Sequence, residues 1–184
     1  LKGAEQRLNE SVKLGDITQE KANEILKTAE NLNKYSGNFE SYFATDPEDL
    51  IEAVNLKAQK EDLVKQKQNI DEDAQENINE QIADVSEKIK EVTKRARTKS
   101  IEAETKFAQK IAGKDKVVTY DSVDQMRNAV DADGNKLFTE EDLKADGLEL
   151  DGVVYINKAV AIEKGAVTVA SHELLHKVLK SQFS

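Results

Sequence analysis

Gly165-Ala-Val-Thr-Val-Ala-Ser-His-Glu-Leu-Leu-His-Lys-Val-Leu-Lys180 is the stretch from which the rest of the chain can be read. Its apolar residues, among them Val169, Ala170, Leu174 and Val178, recur at helical spacing, while Lys177 and Lys180 mark a wet edge. A helix patterned this way packs into a core. Within it His172, Glu173 and His176 spell H-E-x-x-H, and these are the two histidines of the chain. Residues four apart on a helix lie on one face, one turn above the other. Two imidazoles so placed can bind one Zn²⁺, and Glu173 can reach a metal-bound water and take its proton. That is the general base of a metal-dependent peptidase. The competing reading is a helix whose two histidines pair with nearby carboxylates.

Upstream, Asp151-Gly-Val-Val-Tyr-Ile-Asn-Lys158 and Ala161-Ile-Glu-Lys-Gly165 lead into the same helix. Together with His172, Glu173 and His176 they resemble the core of the zincin-like zinc metallopeptidases. More narrowly, they are similar to the peptidase-like segments embedded in large virion proteins of tailed phages. The resemblance covers about the last third of the chain. It implies a strand at the sheet edge, here Val153 to Ile156, lining the substrate cleft ahead of the active helix. It also implies a third protein ligand, usually downstream of the second histidine. No histidine or acid follows His176, whereas a catalytic zinc takes three protein ligands and a water. Three expectations stay open: the chain is a fragment, the third ligand folds in from upstream, or the site is incomplete. The start at Leu1, without an initiator Met, favours a fragment or a processed product.

Charged residues make up 34% of the chain and aromatics 5%, which points to solvated helices rather than a compact β protein. The net charge of −9 argues against a broad nucleic-acid or anionic-membrane surface. No cysteine is present, so disulfides and thiolate metal sites are excluded and the compartment stays open. No apolar run is long enough to span a membrane, and the N-terminus carries no signal-peptide pattern.

Residues 1–14 read as a helix closed by Gly15; Asp16 and Thr18 then offer caps for a second helix ending near Gly37. Phe39, Tyr42 and Phe43 follow in a loop as a packing plug. Asp46-Pro47-Glu48-Asp49 is a strong helix start, with Asp as N-cap and proline at the first position. Nothing breaks a helix from there to Gly113, and one rod of that length would reach on the order of 95 Å. Leu56, Leu63 and Ile70, then Ile78, Ile82, Val85, Ile89 and Val92, instead describe two seams separated by the apolar-poor Asp71–Gln75. Two arms of similar length in an antiparallel coiled coil are expected, with Asp73 and Glu76 as a capping-box-like start to the second.

Lys94, Arg95, Arg97 and Lys99 form a basic knot. With no aromatic interleaved for stacking, it reads as a solvated helix face rather than a phosphate-contacting patch. Beyond Gly113-Lys-Asp-Lys116 the pattern changes to a strand, Val117–Tyr120, and a short helix capped by Ser122 and running to about Val130. Asp131, Asp133 and Asn135 sit at calcium-loop positions one, three and five. Lys136 replaces the required glycine and Asp142 the bidentate Glu, so a polar turn and a short helix capped by Thr139 are expected instead.

The fold expected is mainly α with a small α+β C-terminal part. Residues 1–45 form a helical hairpin and 46–113 a long antiparallel coiled-coil hairpin. Residues 114–184 form a zincin-like core, truncated at its C-terminus. The function expected is zinc-dependent peptide hydrolysis, with His172 and His176 as metal ligands, Glu173 as the base and a protein or peptide as substrate. The alternative is a structural or cargo protein of a phage virion, in which the helices mediate assembly and the metal site is incomplete or latent. Neither reading expects nucleic acid or membrane as a partner, and a virion is the one location the resemblance implies.

Overall fold

The computed structural model describes residues 2–40, 43 and 46–174. The chain is mainly helical, with one three-stranded sheet among the described residues. It divides into two compact units, 1–93 and 94–184.

The first unit holds α1 (Lys2–Leu14), α2 (Gln19–Tyr35), α3 (Pro47–Lys67) and the start of α4 (Gln75–Ala112). The local signals set the boundaries. Gly15 takes φ 80° after α1, where a residue with a Cβ would be strained. The Thr18 side chain accepts a hydrogen bond from the Lys21 amide at the head of α2. Asp46 accepts from the amides of Glu48 and Asp49, with Pro47 opening α3. These oxygens satisfy amides that a first helical turn leaves without partners. Tyr35, Val54 and Ala58 form a shared core for α2 and α3. Across the same seam the Tyr35 hydroxyl donates to Glu61 and the Asn31 amide donates to Asn55, each at 2.7 Å. Phe43 is buried and meets Phe39 with ring centroids 5.1 Å apart, two of the three aromatics expected to plug that loop; the third, Tyr42, lies outside the described residues.

The break between α3 and α4 falls at residues 68–74, closing in a 3₁₀ turn over Glu72–Ala74. The arms differ from expectation in length: 21 residues in α3 and 38 in α4. Within this unit the closest-packed pair is α2 with α3. Buried Ala53 and Ala58 on α3 are short side chains that let a neighbouring helix come near. The α4 seam survives as a burial pattern, with Val85, Val92 and Ala96 buried at helical spacing. The capping box expected at Asp73 falls on a side chain outside the described set.

The second unit begins inside α4, not at Gly113. Ile101 and Ala108 of that helix share one core with Val117, Val154, Ile156 and Ala161, so the helix and the sheet form one folding body. The sheet comprises β1 (Val117–Tyr120), β2 (Gly147–Leu150) and β3 (Val153–Asn157). The strand order is β1-β3-β2, with β1 parallel and β2 antiparallel to the central β3. Successive side chains of a strand point to opposite faces. Val154 and Ile156 therefore enter the core with α4, while Tyr155 joins Tyr120, Phe138, Met126 and Leu143 on the other face. Helix α5 (Val123–Arg127) follows β1, with Ser122 accepting from the Gln125 amide. Helix α6 (Lys158–Lys164) follows β3 directly, capped by the buried Asn157.

Candidate functional site

The site is built on the short path out of α6. Gly165 ends that helix in the left-handed region, φ 71°. A Cβ at position 165 would also stand 3.0 Å from the Arg97 guanidinium, which would have to shift to admit it. Arg97 donates to the carbonyls of Ile162 and Glu163, each at 3.0 Å. These are carbonyls that the last turn of a helix leaves open, at the negative end of its dipole. One member of the basic knot is thus a half-buried helix cap in trans, a role that the solvated-face reading did not anticipate.

The motif helix then begins, described over 169–174. Val169 and Ala170 are buried in the core, and Leu174 packs on it half-buried. The His172 amide donates to the Thr168 carbonyl at 3.0 Å, so the motif starts within regular helix. His172 is exposed and Glu173 half-buried. His176 lies outside the described residues.

The motif helix rests on β2. A Cβ at Gly147 would meet Val169 Cγ2 at 2.5 Å and Glu173 Cγ at 3.1 Å. Only a glycine lets the helix lie this close to the strand. This corrects one expectation. The Val153–Ile156 strand is central, paired on both sides, and has no free backbone edge to offer. The edge strand beside Glu173 is β2, which pairs only with β3 among the described residues. The reason is the turn between them: Asp151 and Gly152 take φ 51° and 75°, the two-residue hairpin geometry that Asp-Gly favours. The Glu149 carboxylate reinforces it by accepting from the Gly152 amide at 2.8 Å.

On the other side Ser171, adjacent to His172, donates its hydroxyl to the Glu104 carboxylate of α4. Among the described residues no three His, Cys, Asp or Glu side chains gather to hold a metal ion. The Asp131 carboxylate accepts from the amides of Asp133 and Asn135 at 2.9 Å, and its bonds to Asn135 above all hold its pKa below the ordinary carboxylate value. Lys136 turns away to donate to the Arg127 carbonyl. Thr139 and Asp142 cap each other in the turn that follows. The loop is a polar turn, as its sequence suggested.

Compared with family models, curated proteins and solved structures, the chain matches none. No helix among the described residues is long and apolar enough to cross a membrane.

Proposed function

We propose that the C-terminal unit carries the metal-binding helix of a zinc-dependent peptidase. The observation that supports this most is that His172 and Glu173 share one helix, with Glu173 against the edge strand of a small mixed sheet and His172 exposed. His172 and His176 would hold the ion, with a third ligand supplied from elsewhere in the fold or from beyond this sequence. A zinc ion in such a site supplies the positive charge that acidifies water and polarises a carbonyl. The chain's own part is narrower. Glu173, on the motif helix beside the start of β2, would take a proton from the attacking water and return it to the leaving amine. The free edge of β2 holds an extended peptide by main-chain pairing.

The test compares the chain with Glu173→Gln and His172→Ala by zinc titration and hydrolysis of an unstructured protein. The parent should bind zinc weakly and cleave poorly, because two imidazoles do not close a site. Glu173→Gln should keep the metal affinity and abolish residual cleavage; His172→Ala should lose both. Zinc affinity untouched by His172→Ala would overturn the proposal, as would cleavage untouched by Glu173→Gln.

One observation favours a second reading. The 38-residue α4, largely exposed or half-buried along its length, suits a virion structural or cargo protein in which the helices mediate assembly and the metal site is latent. Absence of zinc binding by the parent at any accessible concentration would favour it.

A further inference from the structure

We propose that the exposed face of α4 formed by Lys106, Phe107, Lys110 and Ile111, continued by Lys114, docks an acidic peptide segment bearing apolar side chains. As a substrate-docking strip it rests on the peptidase reading; as a binding surface it does not. Phe107 and Ile111 are 57% and 62% exposed and lie four apart, so their side chains adjoin in one apolar patch. Lys106 and Lys110 form the neighbouring row, also four apart, and Lys114 follows just past Gly113, where α4 has ended; all three are exposed. None of the three makes an ion pair among the described residues, whereas lysines such as Lys88 and Lys90 pair with acids on their own helix.

The charge argument selects the partner. Along the strip, between Lys106 and Lys116, the chain carries four Lys against one Asp, within a protein of net charge −9. A locally positive strip on an acidic molecule attracts acidic segments and repels basic ones. Two large apolar side chains at its centre add burial that a purely ionic contact lacks. Nucleic acid fits poorly, because a single ring offers one stacking platform and Ile111 none.

Position ties the strip to the motif. Glu104 precedes Phe107 by three residues and Ile111 by seven, on one face of α4. Its carboxylate accepts from Ser171, next to His172. The strip therefore begins where α4 touches the motif helix.

The probe is a fluorescein-labelled peptide of alternating glutamate and leucine, followed by anisotropy, with a lysine–leucine peptide and a glutamate–serine peptide as controls. The parent should prefer the glutamate–leucine peptide, with affinity falling as salt rises. Phe107→Ser with Ile111→Ser, and separately Lys106→Glu with Lys110→Glu, should each weaken binding at least about tenfold. All four positions are exposed, and unchanged helical circular dichroism will show that the variants fold. Glu173→Gln should bind as the parent does, so retained binding together with cleavage that Glu173→Gln leaves untouched would count against the peptidase reading alone. Four outcomes would overturn the docking proposal: no binding by the parent; equal binding of the lysine–leucine peptide; parent-like binding by both double variants; or a self-association that the same substitutions abolish, which would make the occupant a second copy of this chain.

Discussion

Replacing Gly147 by alanine should destabilise the C-terminal unit, although the same change at an unhindered strand position would stabilise it. The backbone at Gly147 is not in the left-handed region, so removing a glycine's unfolded-state freedom would contribute roughly 0.4–1 kcal/mol of stability. The added methyl, however, would stand 2.5 Å from Val169 Cγ2 and 3.1 Å from Glu173 Cγ. Glu173 is half-buried and can swing; Val169 is 4% exposed, held within the core, and cannot. Overpacking of this kind costs about 1–3 kcal/mol. The steric effect wins, and a net loss of about 1–2 kcal/mol is expected. Urea unfolding followed by circular dichroism and by tyrosine fluorescence will read it, since Tyr120 and Tyr155 lie in the same unit. A cycle with Val169→Ala isolates the contact. The double variant should be less destabilised than the sum of the singles by about 1 kcal/mol or more. If Gly147→Ala matches or exceeds the parent in stability, or the two changes simply add, the helix does not lie against β2 as described.

Ile101 is 1% exposed in the core beneath the sheet, whereas Ile111 on the same helix is 62% exposed. Ile101→Ala should cost about 2–5 kcal/mol in urea unfolding and Ile111→Ala under about 0.5 kcal/mol; equal effects would contradict this orientation of α4. Asp142 accepts from the Thr139 hydroxyl and amide, and these bonds hold its carboxyl below the ordinary 3.8. A depressed acid stabilises the fold above its unfolded value, and that stability is lost as pH falls through the lower folded value. The Thr139 amide resonance should therefore titrate below pH 3.8, and Asp142→Asn should remove the transition. Finally, the basic knot at Lys94–Lys99 should give no micromolar, salt-sensitive binding to single-stranded or duplex DNA, since Arg97 is engaged by the end of α6 and the net charge is −9.

What the sequence made legible was local. Thr18, Asp46, Ser122 and Thr139 announce helix or turn starts because a side-chain oxygen bonds an amide two or three residues on, and such spacing is visible in one dimension. The break near residues 68–74 was legible for the same reason, as a gap in apolar periodicity. What stayed hidden was long-range. Arg97 reads as one more basic residue until it meets carbonyls 65 and 66 positions away. The place of β3 in the sheet was partly recoverable, for Asp151-Gly152 between Gly147–Leu150 and Val153–Asn157 is a hairpin signal. Reading it would have put an antiparallel partner beside Val153–Ile156 and moved the free edge to β2. Gly147 could not have been singled out, because its reason is a helix more than twenty residues downstream. The same division governs the metal hypothesis. The spacing of His172, Glu173 and His176 is a property of one helix and can be read from five letters. A third ligand is a property of the fold around that helix, and no spacing within the motif specifies it.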